Sequence, residues 1–344
     1  MWTHINFGSP NLARLFIERS RPLSLCAFVV SIPELPTPPF EQWSTEDTML
    51  REALQRSRTL SLRLQVGSNL PASVVAQTAP LLEELTITTT SADAPMHKLA
   101  IDELFGGVRP QLRSLDLRGC HLPWRRGLYT GLTRLALSGA LLALHPGADV
   151  LVALADSPGL EELALWFASA PGVLGVTQFT GSARPAPPLL LPRLRRLALR
   201  LPFYDTHYLL AALAPAPDVL ADVHIVYPSG DLLGALAHLR VALPPPLFAR
   251  VQDLRVARTR PASFEVAGTA QAQEGGDLRI HVEGHAQRLL KACAPLLEAL
   301  TEGGGMPALR SVKVIDEGAD GTAAESAVFA FSRLETVPCL TVGS

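Results

Sequence analysis

The stretch Leu112-Arg113-Ser114-Leu115-Asp116-Leu117-Arg118-Gly119-Cys120-His121-Leu122 decides the fold. Leu115 and Leu117 are two residues apart, so in an extended chain they point to one side, and Asp116 between them points to the other. Leu112 precedes them, and Cys120 and Leu122 follow at the positions where the leucine-rich-repeat consensus has Asn or Cys and then Leu. One such segment cannot bury its own apolar face. It needs neighbours of the same kind, stacked on both sides.

Those neighbours are present. The same apolar triplet occurs at Leu82, Leu85, Ile87; at Leu132, Leu135, Leu137; at Leu160, Leu163, Leu165; and at Leu194, Leu197, Leu199. Weaker copies read at Leu220, Val223, Ile225; at Val251, Leu254, Val256; and at Leu309, Val312, Val314. Alternating strands without the full triplet read at Leu60 to Val66 and at Leu278 to Val282. From Leu85 to Leu254 the middle residues are 30, 20, 28, 34, 26 and 31 apart. The usual repeat has about 20–29 residues, so this array is long and irregular. Between the strands, Thr45 to Arg56 opens with a capping residue and acids, as a helix start does. Leu70 to Leu82 has Pro71 in the place that suits a first helical turn. Apolar blocks at Val150 to Ala155, Leu209 to Leu213, Leu232 to Leu239 and Leu289 to Leu300 are of helical type. The expected fold is α/β: an irregular leucine-rich-repeat solenoid, with a curved, mostly parallel sheet and outer helices.

The chain has three Asn, at 6, 11 and 69, so no Asn ladder can tie its turns together. The turns must be satisfied by backbone or water. Pro171 to Pro192, and Pro244 to Pro246 with its flanks, read as looped-out insertions.

Composition narrows the function classes. The 344 residues are 48% hydrophobic and 18% charged, which excludes a disordered chain. A formal net charge of −2 argues against a nucleic-acid binder. No apolar run reaches the roughly 18 residues of a membrane span, so no membrane partner is expected. The start of the chain has neither the basic nor the apolar region of a secretory signal. Four Cys, none in a C-x-x-C pair, fit free thiols in a reducing compartment. A cytoplasmic or nuclear protein follows. Arg outnumbers Lys 27 to 3; a coding bias explains this, and so does a surface that recognises carboxylates or aromatics through guanidinium groups.

Trp2 and Ile5, followed by Arg19, Ser20, Pro22, Leu23 and Leu25, resemble a fungal (basidiomycete-type) family, the F-box proteins with irregular leucine-rich repeats. In that family the F-box helices end in Trp-x-x-Ile, and R-S-x-x-P-L-x-L leads into the first strand; Arg19 to Leu25 here reads R-S-x-P-L-x-L, one residue shorter between Ser20 and Pro22. The resemblance implies residues 1–30 as the end of an F-box and the entry to the first repeat, and 31–344 as one solenoid domain. It also implies the substrate-recognition part of a ubiquitin ligase receptor. The F-box body that docks on the Skp adaptor would precede Trp2, so this chain alone is expected not to bind that adaptor.

Catalytic motifs are poor. His281 and His285 in HVEGH do not form H-E-x-x-H, and the alternation of DLRIHVEG places His281 near a strand end. Gly303 to Gly305 lack the Lys and Ser or Thr of a phosphate loop. No G-x-S-x-G elbow occurs. No catalytic residue, cofactor or metal is therefore expected. The open face of the strands is the better candidate. Asp116, Arg118, Trp166, Arg196, Arg200, His224 and Arg255 fall on it by alternation, and Trp and Arg dominate binding hot spots. Trp166 packed beneath the Pro171 to Pro192 insertion, and the charges as a plain solvated face, are the alternatives. Two functions are open: a non-enzymatic scaffold that holds a protein partner or ubiquitylation substrate, and a hydrolase or other enzyme with an unrecognised site. A broad open face favours the first; a deep polar pocket favours the second.

Overall fold

The computed structural model describes residues 4–6, 10–20, 27–32, 48, 51–64, 77–89, 97–98, 105, 111–121, 129–138, 147–166, 189–215, 219–226, 251–260, 263–269, 278–283, 310–316 and 339–343. It is an α/β chain built on parallel strands with few helices. Two compact units divide it. The first holds Met1–His145, Val152–Leu160 and Phe167–Val173; the second holds Pro146–Leu151, Glu161–Trp166 and Leu174–Ser344.

In the first unit the strands are β1 (His4–Asn6), β2 (Ala27–Ile32), β3 (Thr59–Leu64), β4 (Glu84–Thr89), β6 (Ser114–Arg118) and β8 (Arg134–Ser138), with two-residue strands β5 (His97–Lys98) and β7 (Cys120–His121) paired apart. They pair β1-β2-β3-β4-β6-β8, each parallel to the next. Register aligns Leu60, Leu85, Leu115 and Leu135 in one row, and Leu62, Ile87, Leu117 and Leu137 in the next. All eight are buried, each contributing about 1.5–3 kcal/mol of burial free energy. These rows are the triplets' second and third apolar positions.

Helix α1 (Pro10–Arg19) joins β1 to β2. Its last carbonyls have no partner within the helix, and Arg56 supplies one. The Arg56 guanidinium donates to Ile17 O at 3.2 Å, to Ser20 O at 2.8 Å and to Ser20 Oγ at 3.0 Å. Arg56 sits in the helical stretch 51–56, whose Ala53 and Leu54 face the core. Ile5 lies on a strand, where the family resemblance implied the end of the F-box helices. The helix expected over Leu70 to Leu82 is absent from its described part: residues 77–82 form a turn closed by Leu82 N donating to Ala79 O at 3.1 Å.

The missing Asn ladder is replaced by backbone. The carbonyl just before β3, β4 and β6 accepts two successive N–H groups from the next repeat. Arg58 O takes Glu83 N and Glu84 N at 2.8 and 2.9 Å; Glu83 O takes Arg113 N and Ser114 N at 2.7 and 3.0 Å; Arg113 O takes Thr133 N and Arg134 N at 2.8 and 2.9 Å. Two buried serines add side-chain hydrogen bonds, at different points of the repeat. Buried Ser57 donates to Ala53 O at 2.6 Å. Buried Ser157, just beyond helix α2 (Gly147–Ala155), donates to Tyr129 O and accepts from Leu132 N at 3.2 Å.

The second unit contains β9 (Glu162–Trp166), β10 (Leu189–Leu191), β11 (Arg196–Pro202), helix α3 (Phe203–Ala212), β12 (Leu213–Pro215), β13 (Leu220–Val226), β14 (Asp253–Arg260), β15 (Ser263–Thr269), β16 (Leu278–Glu283), β17 (Ser311–Asp316) and β18 (Cys339–Gly343). Strands β9, β11, β13 and β16 run parallel; β15 is antiparallel to β16 and β14; β14, β17 and β18 are again parallel. The carbonyl device recurs at Glu161, which accepts from Arg195 N and Arg196 N at 2.8 and 3.0 Å, and at Gln252, which accepts from Arg310 N and Ser311 N at 2.6 and 3.1 Å. The helix expected at Val150 to Ala155 lies within α2, and that at Leu209 to Leu213 lies within α3 up to Ala212, with Leu213 opening β12. Those at Leu232 to Leu239 and Leu289 to Leu300, the Pro244 to Pro246 insertion, and most of Pro171 to Pro192 lie outside the described residues.

Two expectations are corrected here. The copy read as Leu220, Val223, Ile225 is out of frame by two residues. Leu163 and Leu165 align with Leu197 and Leu199, and these with Ala221 and Val223, so Leu220 lies on the outer face at 44% exposure. Second, β14 does not follow β13 in the sheet: β16 takes that place, and the hairpin partner β15 lies between β16 and β14. Strand β15 escaped notice because Gly268 stands in its core row, between Leu254 and Leu278. A Cβ there would come within 2.8 and 2.9 Å of the Val251 methyls, so the apolar side chain that would have marked the strand has no room.

Candidate binding surface

Strand pairing fixes the outer faces because residues opposite each other across a ladder share a side of the sheet. In the first unit the outer rows are Thr59, Glu84, Ser114, Arg134; then Ser61, Thr86, Asp116, Ala136; then Arg63, Thr88, Arg118, Ser138. Asp116 falls in the middle row as its spacing predicts. It is not the exposed contact expected, because it is only 9% exposed. Arg118, two residues along the same strand, lies back over it and donates Nε–H to Oδ1 at 3.1 Å and Nη2–H to Oδ2 at 2.8 Å. The carboxylate hydrogen bond and charge raise the Arg118 pKa further above its ordinary value. Asp116 is thus the partner that fixes Arg118, and the half-exposed guanidinium is the group a ligand would meet. Such a pair contributes about 0–1 kcal/mol to stability.

Beyond β6, Cys120 takes the consensus position and is buried. Its Sγ lies 3.6 Å from Ile87 O, so the thiol bonds back to the preceding repeat. Burial pushes its pKa up to about 12, with Asp116 acting in the same direction and a backbone hydrogen bond opposing. A buried thiol with its pKa raised in this way is a poor nucleophile.

In the second unit the outer rows are Glu162, Arg196, Leu220; then Ala164, Ala198, Asp222, Arg279; then Trp166, Arg200, His224, His281. Arg196 Nη1 meets Glu162 Oε1 at 3.5 Å. The third row brings together three residues singled out by sequence, because β9, β11 and β13 are consecutive. Trp166 is 38% exposed, Arg200 is exposed, and His224 is half-buried with its Nε2 shielded from solvent. The small Ala164 and Ala198 occupy the neighbouring outer row. Arg255 is on β14, opposite Ala267 and Lys313; its side chain is outside the described part. Of the seven candidates, Asp116 and Arg118 pair in the first unit, and Trp166, Arg196, Arg200 and His224 share a face in the second.

Leu220 belongs to this face and was missed, because its apolar character put it in the core frame. Its immediate neighbours Val219 and Ala221, both buried, were the available signal. Among the described residues no helix is long and apolar enough to cross a membrane, and no three side chains of His, Cys, Asp or Glu gather as a metal cage. No protein-family model, curated protein or solved structure matches the chain.

Proposed function

We propose that this chain is a non-enzymatic protein-binding scaffold, an irregular leucine-rich-repeat solenoid that serves as the substrate-recognition part of an F-box-type ubiquitin ligase receptor. The solenoid reading is supported by parallel strands in matched register and by the carbonyls of Arg58, Glu83, Arg113, Glu161 and Gln252, which each serve two successive amides. The scaffold reading is supported above all by one observation: Trp166, Arg200 and His224 occupy consecutive positions of one outer row. A flat aromatic beside a planar cation, spread across separate repeats, suits a broad protein interface in which a few anchors supply most of the affinity. Acidic residues on the outer faces, Asp116, Glu162 and Asp222, interrupt any basic stripe and disfavour nucleic acid. The ligase reading rests on the family resemblance, and the Skp contact then requires an F-box that residues 1–30 do not supply.

The test is affinity capture from native extract, with wild type and a Trp166→Ala, Arg200→Ala double variant matched in melting temperature. Loss of the same specific proteins from the variant is expected. Unchanged recovery refutes the open-face assignment. Calorimetry of the purified chain with the Skp adaptor is expected to show no micromolar binding, and such binding would overturn the assignment of residues 1–30.

A further inference from the structure

In the first unit, register assembles an outer row of cations and hydroxyls near the C-terminal ends of the strands. Arg63 on β3 lies opposite Thr88 on β4, Thr88 opposite Arg118 on β6, and Arg118 opposite Ser138 on β8. Two guanidinium-bearing residues thus flank one threonine, two strand spacings or about 10 Å apart at their Cα atoms. Both are exposed. Arg63 makes no ion pair among the described residues. Arg118 uses its Nε–H and one Nη2–H on Asp116 and keeps both Nη1–H groups for a ligand. The surrounding hydroxyls are open too: among the described residues, the side chains of Ser61, Thr86, Thr88, Ser114 and Ser138 make no hydrogen bond.

The other charges of this face are placed by the same register. Asp116, in the middle row, has a side chain only 12% exposed and is held by Arg118. Glu84 and Arg134 lie in the first row, and Glu84 accepts from Thr59 Oγ1 at 3.2 Å. Glu84 is four residues before Thr88, about 13 Å along the strand, which exceeds the screening length of about 8 Å at physiological salt. Strand β2 beside β3 carries no charged residue, and β1 carries His4. The pair β5–β7, just beyond Gly119, carries His97, Lys98 and His121. Among the described residues the row therefore holds two cations and no acid, and the face as a whole sets Arg63, Arg118 and Arg134 against Glu84 and Asp116. Its complement is a negatively charged ligand.

We propose that Arg63, Thr88, Arg118 and Ser138 form a docking row for an extended acidic segment of a partner protein, with Asp or Glu carboxylates seated at the two guanidiniums. The hold of Asp116 on Arg118 decides between one anion and two. It turns the guanidinium back along β6, so Arg118 does not reach across Thr88 to share a ligand with Arg63. Two separate cation positions call for two carboxylates, not for a single phosphoryl group. In an extended chain alternate side chains share a face and are about 7 Å apart, a gap that the unpaired Arg63, on its long stem, adjusts to meet. Each guanidinium offers charge-assisted hydrogen bonds, and the threonine and serine hydroxyls donate to the remaining carboxylate oxygens. The inference rests on the reading of the outer face as a protein-binding surface, but on residues separate from Trp166 and Arg200, which belong to the other unit.

The test is fluorescence anisotropy of the full chain with a labelled peptide that alternates Glu and Ser. A matching Gln–Ser peptide and a peptide with one phosphoserine among neutral residues are run beside it. The Glu peptide is expected to bind saturably and more weakly as salt rises, and the Gln peptide not to bind. Arg63→Gln and Arg118→Gln are each expected to lower affinity about 10-fold, the scale of one charged hydrogen bond, and Arg63→Lys to lower it less. Arg14→Gln, which removes the same charge from α1, and Trp166→Ala are expected to leave affinity unchanged. In the wild type, where no variant has to fold, the Glu peptide is expected to slow modification of Arg63 by phenylglyoxal, mapped by mass spectrometry. Absence of saturable binding, equal binding of the Gln peptide, binding of the phosphoserine peptide alone, an equal loss in Arg14→Gln, or an unprotected Arg63 overturns the proposal. Any of these beside an intact capture result for Trp166 and Arg200 removes this row alone; unchanged capture by that double variant, with peptide binding intact, removes the other face alone.

Discussion

Replacing Arg56 tests the account of how α1 is held. Its guanidinium donates to Ile17 O, Ser20 O and Ser20 Oγ, all within 3.2 Å. Its side chain is 17% exposed, and Glu52 lies 3.5 Å away as a fourth partner. Arg56→Met keeps most of the aliphatic stem and removes every donor. Three acceptors at the end of α1 then lose a charged partner, and each such hydrogen bond is worth about 1.5–3 kcal/mol net. Water reaches part of the site and restores some of the loss. We therefore expect about 2–4 kcal/mol for the variant. Arg56→Lys keeps the charge but cannot span the acceptors as a planar fork does, so about half that loss is expected. Urea unfolding followed by circular dichroism gives the value. With a slope of about 1–3 kcal/mol per molar urea, the Met variant's midpoint falls by about 0.7 M or more. Hydrogen exchange at the Ser20 amide, which bonds to Phe16 O at 2.9 Å, reports the end of α1 specifically. A loss below about 0.5 kcal/mol, with Lys and Met equivalent and Ser20 exchange unchanged, would refute the capping role.

Other outcomes follow from the same geometry. Leu135→Ala or Leu163→Ala, each in a fully buried row, should cost about 2–5 kcal/mol in chemical denaturation; a loss under about 0.5 kcal/mol would remove these residues from the core. Gly119 has φ +67°, and a Cβ there would overlap Thr89 Oγ1, so Gly119→Ala should lower stability by about 1–3 kcal/mol and a neutral result in a melting experiment would contradict the turn geometry. Cys120 should react with a thiol reagent far more slowly folded than unfolded. An unfolded thiol loses its proton near 9.0 and the folded one keeps it to about 12. Unfolding thus releases a proton in that window, and stability falls as pH rises through it, by up to about 1.4 kcal/mol per unit. Burial of Tyr129 acts in the same direction. Cys120→Ala should flatten the alkaline slope of melting temperature, and an identical slope would count against the buried thiol.

The strands that matched a local pattern were legible because alternation and burial are the same constraint seen twice: Leu85, Leu115, Leu135, Leu163 and Leu197 are core by spacing and core in space. Order was not legible where pairing is non-local. Nothing in the residues of β13 says that β16 rather than β14 lies beside it, and β15 was masked by Gly268, whose lack of a side chain is its structural role. The outer face was legible as a face but not in its exposures. Asp116 alternates correctly, yet its accessibility depends on Arg118 turning back along its own strand, a choice of rotamer that periodicity does not encode. Leu220 shows the opposite failure, since an exposed apolar residue mimics a core position one frame away.

The carbonyls that each serve two following amides have a consequence for how such a chain tolerates change. A turn held by side chains demands particular letters at particular intervals; a turn held by main chain demands only that two successive N–H groups exist. Any residue except proline satisfies that at Glu83 and Glu84, at Arg113 and Ser114, at Thr133 and Arg134, and at Arg195 and Arg196. Lengthening or rewriting the return path leaves these bonds intact, so copies 20 and 34 residues apart can share one architecture. The repeat is thereby kept in geometry while its spelling is free to vary, and a scan for proline tolerance along the chain would trace its junctions where a search for recurring letters does not.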